Sequence, residues 1–175
     1  FQYAASPASL KWPIDYAVST FRMLGVKPKG QYAYVDGGDY RSVRDLLGDM
    51  GQLVLQPPSV FGWYWEASWV NSATLLARYD FARNVAAARG KTGYHLRPEK
   101  LISLALTDPG AIADAATEVL GIKDVLSIAE RDVLIAYLTD NGTTTSLDLS
   151  DYDTRNRKLH GLFALLLQSP IYQLH

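Results

Sequence analysis

The chain has no cysteine, almost no net charge and no long apolar run, and each absence removes a class of protein. Without cysteine there can be no disulfide, no thiolate nucleophile and no cysteine-ligated zinc. A formal net charge of -1 gives no field that would gather phosphates, so nucleic acid is excluded as a partner. The longest strictly apolar run, Leu162 to Leu167, is far shorter than the roughly 20 residues that cross a bilayer. The sequence therefore predicts no membrane span.

The three histidines, His95, His160 and His175, are isolated from one another in the sequence. A zinc-binding helix needs two histidines one turn apart, and no such pair exists here. We expect His160 to lie on the surface or at the boundary of the last helix. The sequence predicts no metal site and no cofactor.

Asp148, Asp151 and Asp153 faintly resemble a calcium loop, but the required glycine and closing glutamate are missing. A solvated acidic turn before a helix explains them better, since acidic groups favour helix starts. The chain also contains no nucleophile elbow, phosphate-binding glycine loop or dinucleotide fingerprint. No catalytic residue can be named, and the sequence leaves open whether the protein is an enzyme.

The amino-acid composition is that of an ordinary globular protein. Of the 175 residues, 48% are hydrophobic and 20% are charged. Apolar residues recur at helical spacing in most segments, and no run alternates long enough to predict a sheet. We predict an all-α, irregular bundle of about six or seven helices, with a Pro/Trp-rich loop packed on it. The motifs lie in residues 1–90, and residues 91–175 form a second helical half of the same domain.

Helix boundaries are marked by local capping signals. The predicted helices begin at Pro13, Val43, Asn71 or Ser72, Pro98, Asp108-Pro109, Ser127 and after Ser150, and the breakers that end them are Gly25, Gly51, Gly90, Gly121, Asn141-Gly142 and Ser169-Pro170. Residues 26–38 are predicted to be a loop whose Tyr32 and Tyr34 lie against the surface. Residues 143–150 are predicted to be a loop with at most one short extended piece.

Three of the four tryptophans, Trp63, Trp65 and Trp69, fall in one irregular segment that follows Pro57-Pro58. In a functional interpretation these rings, with Tyr64, form a platform for a sugar, a polymer or an apolar side chain of a partner. In a structural interpretation they are pegs that pin the loop to the helices, each burying roughly 150 to 250 Å². The structural interpretation is favoured, with Tyr64 and Trp65 as the more exposed members.

Asn71, Thr74 and Arg78 are predicted to lie on one ridge of the long third helix, because their spacing returns to one side. We expect Arg78 to be buried and to donate to carbonyls of the preceding loop. The alternative is an anion site, in which Arg78 holds a carboxylate, phosphate or sulfate and Asn71 orients it. The candidate binding residues are therefore Trp63, Tyr64, Trp65, Trp69, Asn71 and Arg78.

Several short motifs, spread over nearly the whole chain, resemble one bacterial family. They are Lys11-Trp12-Pro13, Arg22-Met23-Leu24-Gly25, Gly51-Gln52, Pro57-Pro58-Ser59-Val60-Phe61-Gly62-Trp63, the run from Trp69 to Arg78, and the ending from Leu165 to Leu174. With them the chain is similar to the family called Domain of Unknown Function eighteen-hundred. Residues 91–151 match that family in helical character but in no motif.

The resemblance implies a cellular location and a partner, but it implies no established activity. Members of that family are usually much longer, so we expect this chain, which starts at Phe1, to be the carboxy-terminal part of a larger protein. Members are often encoded beside a secreted protein with a sulfatase-like or phosphatase-like fold. This implies a periplasmic or extracellular place in a bacterium and such a protein as a partner.

Three classes of function follow from these observations. The first is a helical module that supports an envelope protein and docks a partner or the missing amino-terminal region. Such a module should expose a helix face or aromatic patch of more than a few hundred Å², or form a homodimer that covers it. The second is a domain that binds carbohydrate or another polymer through the Trp63 to Trp69 loop. The third is part of a hydrolytic enzyme whose catalytic groups come partly from outside this chain.

Overall fold

The computed structural model describes residues 9–34, 40–63, 69–90 and 93–174. Most of these residues are helical, as predicted, and two short strands accompany the helices. The described elements are α1 (Pro13–Met23), β1 (Tyr32–Tyr34), β2 (Tyr40–Ser42), α2 (Val43–Asp49), α3 (Ser72–Ala87), α4 (Pro109–Val119), α5 (Ile128–Leu138), α6 (Tyr152–Gln168) and α7 (Pro170–Gln173).

Most predicted helix starts are confirmed, because the capping groups act locally on free amides. Pro13 and Pro109 occupy first turns, where a missing N–H costs nothing. Ser127 caps α5 by the reciprocal arrangement with Glu130 that their spacing predicted. Asp151 accepts a hydrogen bond from the Thr154 amide at 2.8 Å, so the acidic turn does begin a helix.

The core lies mainly between α3 and α6, the two longest helices. The predicted apolar stripe of α6 is buried: Leu159, Leu162, Phe163 and Leu166 are all at most 1% exposed. On the other side of α3, Phe81 packs its ring 5.4 Å from that of Tyr16 in α1. The aromatic contacts fasten α1 to α3, and the packing of α3 on α6 joins the two halves of the chain in one core.

The prediction that no sheet forms is wrong. β1 and β2 pair antiparallel, with Tyr32 opposite Ser42 and Ala33 opposite Arg41. Each strand has only three residues, which is too short for an alternating pattern to be recognised. Ala33 is buried and Tyr32 is 43% exposed. The Tyr34 side chain and residues 35–39 lie outside the described residues, so the rest of the prediction for this loop stays untested.

Two other boundaries also differ from prediction. The helix expected from Pro98 is a single 3₁₀ turn, Pro98–Lys100, and the chain then continues in turns up to α4. After Ser169-Pro170 ends α6, a further helix of one turn forms, because Ser169 caps it and Pro170 takes its first position. Residues 143–150 are a loop, as predicted, although Leu147 and Leu149 reach the core.

His160 is buried rather than placed at the surface or boundary of α6, with only 5% of its area exposed. Its Nδ1 lies 2.6 Å from the carbonyl oxygen of Ala86 in α3. A carbonyl can only accept, so Nδ1 carries the proton and donates. Burial lowers the pKa of His160, and the positive charge of Arg89 acts in the same direction. The ring therefore joins the two central helices in its neutral form.

This burial makes stability depend on pH between about 7 and 5. Because the pKa of His160 is below its ordinary value of 6.5 in the folded state, the unfolded chain binds the extra proton first as pH falls. The free energy of unfolding should decrease over this range, by up to about 1.4 kcal/mol per pH unit from this group. Urea unfolding at pH 7.5, 6.5 and 5.5 measures it.

The matched control is His160→Gln, whose amide can still donate to Ala86 but does not titrate. Its pH dependence in this range should be flatter than that of the wild type. Paired carboxylates such as Asp114, whose pKa the hydrogen bond from Arg131 lowers, lose their contribution only at lower pH. Parallel stability curves for the two proteins would contradict a neutral, buried His160.

Candidate functional site

Trp69 forms the centre of a stack of three indole rings. It is 3% exposed, and its ring centroid lies 5.9 Å from that of Trp12 and 5.9 Å from that of Trp63. Gly51 lies beneath the Trp69 ring with φ of 96°, a conformation that disfavours a side chain. Trp69 is thus a buried peg, while Trp63 is half-buried at the outer end of the stack.

Asn71 caps α3 from an exposed position. Its Oδ1 accepts from the amides of Ala73 and Thr74, each at 3.0 Å. The Thr74 hydroxyl donates to the carbonyl of Trp69 at 3.0 Å and also lies 3.0 Å from the Asn71 amide. These bonds bind the last residues of the aromatic loop to the first turn of α3, so Asn71 has a complete structural role.

Arg78 is fully buried, one turn after Thr74. Its acceptors among the described residues are the Lys11 carbonyl at 2.7 Å and Gln173 Oε1 at 3.3 Å. Neither acceptor lies in the described part of the preceding loop. Residues 64–68 lie outside the described residues, so the predicted bonds to their carbonyls stay untested. Burial lowers the pKa of Arg78, and no carboxylate offsets the charge among its described contacts. Its guanidinium also lies 5.4 Å from the ring of Tyr16.

Arg78 is the centre of a terminal clamp, made of residues 10–12, Arg78 and residues 172–174. Leu10 and Leu174 form an antiparallel bridge, and the Lys11 amide donates to the Gln173 carbonyl at 2.8 Å. Lys11 Nζ donates to the Tyr172 carbonyl at 2.6 Å and lies 3.9 Å from the Tyr172 ring centroid. This arrangement supports a structural role for Arg78, and its role as an anion site stays a prediction.

Of the six predicted site residues, Trp63, Trp69, Asn71 and Arg78 lie around the amino-terminal half of α3. Tyr64 and Trp65 lie outside the described residues, so the predicted exposure of both stays untested. The described residues contain no group of three or more His, Asp or Glu side chains able to hold a metal ion. No helix in the described ranges is long and apolar enough to cross a bilayer.

Among the described residues, the most exposed apolar side chains belong to an apolar loop of residues 53–61, which overlaps the Pro/Trp-rich segment that was predicted to pack on the helices. Leu55 is 92% exposed, Val60 is 96% exposed and Phe61 is 95% exposed. The loop contains no charged residue. Its Ser-Val-Phe-Gly turn was a usable signal, because the two central side chains of a tight turn point outward.

Two turns hold this loop in shape. The Gln56 amide donates to the Leu53 carbonyl at 2.9 Å, and the Gly62 amide donates to the Ser59 carbonyl at 3.1 Å. Leu55 has a φ of 65°, a left-handed conformation that costs a non-glycine residue roughly 1–2 kcal/mol. Such strain in an exposed apolar residue is more typical of a functional loop than of a neutral connection.

The family model described as Protein of unknown function (DUF1800) matches residues 1–174 of the chain. The match therefore includes the terminal clamp, the apolar loop and all seven described helices. Neither the curated proteins nor the solved structures include a match to the chain.

The structural role of Arg78 gives a measurable expectation. Arg78→Ala should lower the free energy of unfolding by roughly 3–5 kcal/mol, because it leaves a large cavity and a partly buried Lys11 carbonyl without its donor. The Lys11 amide should also lose protection from hydrogen exchange, since the clamp opens locally. Chemical denaturation and exchange measured by NMR test the two effects.

Arg83→Ala is the matched control, since Arg83 lies on the same helix with its side chain 66% exposed. It should change stability by less than about 0.5 kcal/mol. If Arg78→Ala were as stable as Arg83→Ala, the guanidinium would not be holding the chain ends, and the ligand interpretation of Arg78 would gain support.

Proposed function

The chain belongs to the Protein of unknown function (DUF1800) family, and we propose that it is a helical docking module of an envelope or secreted bacterial protein. Its task is to hold another protein surface through the apolar loop of residues 53–61. The module is non-catalytic. The single observation that carries this proposal is the outward presentation of Leu55, Val60 and Phe61, each more than nine-tenths exposed.

Burying the three exposed apolar side chains of this short loop against a partner would contribute a large favourable free energy of binding. Burying a leucine, valine or phenylalanine side chain is worth roughly 1.5–3 kcal/mol. The two turns and Pro57-Pro58 restrict the loop before any partner arrives. Binding therefore costs less conformational entropy than it would for a mobile segment. An apolar loop that is already ordered is therefore well suited to burial in a groove of a partner.

The loop chemistry defines the partner surface as an uncharged, apolar groove. A charged groove would lose its hydration against residues 53–61 without gaining an ion pair, since the loop offers no charge. The partner that we propose is the secreted protein with a sulfatase-like or phosphatase-like fold. Binding by the amino-terminal region of the same protein, or by a second copy of this chain, is the competing outcome of the test.

A second candidate function uses the end of the indole stack. Trp63 is half-buried, and its ring packs on the buried Trp69 ring. A flat aromatic surface fixed in this way suits the apolar face of a sugar or polymer. The two candidates differ in the residues that carry them, because ligand binding needs Trp63 whereas docking needs Val60 and Phe61.

The docking proposal predicts the effect of a double substitution in the apolar loop. Val60→Ser with Phe61→Ser should weaken binding to the purified sulfatase-like or phosphatase-like protein at least about tenfold, because two large apolar anchors are lost. Isothermal titration calorimetry of the full-length protein measures the affinity, and far-ultraviolet circular dichroism confirms that both variants remain folded.

Val133→Ser is the control, since Val133 is 62% exposed on α5 and lies outside the apolar loop. It should bind as tightly as the wild type. Wild-type protein that does not bind this partner, or a double variant with unchanged affinity, would refute the proposal. Sedimentation velocity separates the competing case, because a loop that joins two copies of the chain would show a dimer that the double substitution dissociates.

A further inference from the structure

The structure also contains a cavity of about 520 Å³ whose wall carries charged side chains, unlike the uncharged apolar loop. It lies between the segment that follows α3, the turn at Pro98–Lys100 and the first half of α6. Its volume is within the range of roughly 300–1,000 Å³ that is typical of small-molecule sites. The cavity is therefore large enough for a ligand the size of a hexose derivative.

The cavity wall carries three arginines, Arg89, Arg97 and Arg155, against one carboxylate, Glu99. Glu99 pairs with Arg97 at 2.9 Å. Arg155 donates to the backbone carbonyls of Leu149 at 3.2 Å and Ser150 at 3.4 Å, neither of which neutralises its charge. The ion pairs among the described residues do not include Arg89, which is exposed. Arg89 thus faces the cavity without an ion pair among the described residues. Arg155 is attracted by the charges of Glu99 and Asp151 but donates to neither carboxylate.

Two further polar groups of α6 line the same cavity, His160 and Asn156. His160 is buried, with only 5% of its area exposed, and its Nδ1 donates to the Ala86 carbonyl. In the neutral ring Nε2 is then a hydrogen-bond acceptor. Asn156 Nδ2 is a buried donor that has no partner in the described structure. Leaving a buried donor without a partner is unfavourable, so a ligand oxygen that reached Nδ2 would relieve this cost.

The side chain at the rim of the cavity is aromatic. Tyr152 is 65% exposed, and the Arg155 guanidinium lies 5.5 Å from its ring centroid. This contact holds the planar guanidinium beside the Tyr152 ring at the cavity wall. The exposed ring face of Tyr152 is suited to packing on the apolar face of a sugar ring.

From this arrangement we infer that the cavity binds a small oxyanion that also carries hydroxyl groups, namely an acidic sugar. Arg89 and Arg155 bind the carboxylate or phosphate, since guanidinium groups match the geometry of both. His160 Nε2 accepts from a sugar hydroxyl, and Asn156 Nδ2 donates to a ring or hydroxyl oxygen. The ligand needs both parts, because a bare anion leaves the His160 acceptor unused and a neutral sugar leaves the arginines unpaired.

The site is independent of the docking surface in both residues and chemistry. The apolar loop has no charge, whereas the cavity is lined by guanidinium, imidazole and amide groups. No described residue that lines the cavity lies within residues 53–61. Either inference can therefore be wrong without affecting the other.

The test titrates the protein with glucuronate, glucose 6-phosphate and glucose, and follows the His160 ring resonances by NMR. We expect saturable shifts at His160 with one or both acids and none with glucose. Glucuronate and glucose 6-phosphate distinguish a carboxylate from a phosphate as the source of the oxyanion. Arg89→Gln should weaken binding at least about tenfold, because a charge-assisted hydrogen bond is lost. Asn156→Asp should weaken it too, since a carboxylate of the same shape repels the ligand.

Arg83→Gln is the matched control, because it removes the same charge from an exposed position of α3. Binding to this variant should equal binding to the wild type. Three results would overturn the inference: no saturable shift at His160 with either acid, equal affinity for glucose, or equal weakening by Arg83→Gln and Arg89→Gln. Arg89 is exposed, so its substitution leaves the fold intact and the test interpretable.

Discussion

A buried guanidinium that holds both ends of the described chain is the interaction on which the rest of the structure depends. Arg78 donates to Lys11 and Gln173, which are themselves joined through the Lys11 amide and the Gln173 carbonyl. A fixed positive charge without a carboxylate is costly to bury, and arginine tolerates this better than lysine because it is weakly hydrated and delocalised. The bonds to Lys11 and Gln173 fix the position of α3 relative to both chain ends, although Arg78 Nε has no partner in the described structure.

With the ends held, α3 becomes the element that positions both candidate surfaces. At its amino-terminal end, Asn71 and Thr74 fasten the backbone of Trp69, and the indole stack leads outward to the apolar loop. Beyond its carboxy-terminal end, Arg89 reaches the charged cavity, where α6 supplies the opposite wall. A helix of 16 residues is about 24 Å long, so the two surfaces lie at well-separated places on one rigid support.

The parts of this structure that sequence reasoning could predict are those that rest on neighbouring residues. Pro13, Asn71, Asp108 and the pair Ser127 and Glu130 act within a single turn, and each marks a helix start as expected. Burial of the large aromatic Trp69 also follows from its chemistry alone. These local signals define the helices, and therefore the fold class, without any knowledge of packing.

The parts that could not be predicted depend on residues distant in the chain. Arg78 meets its acceptors across 67 and 95 positions, and His160 meets Ala86 across 74. No periodicity encodes such partners, so His160 looked like a surface residue. The strands β1 and β2 were missed for another reason, because three residues on each side are too few to show alternation. The cavity was not predicted because its charged residues come from separate segments of the chain and form no sequence motif.

The geometry also limits how the two candidate surfaces can influence each other. Energetic coupling between sites requires an element with two arrangements, each favoured by one ligand. The support shared by the two surfaces is α3, which is capped at one end, bonded to the chain ends through Arg78 and joined to α6 through His160. Moving it would break buried hydrogen bonds at both ends of the helix. Occupation of the cavity should therefore leave the apolar loop unchanged, and the two surfaces should act additively within one module.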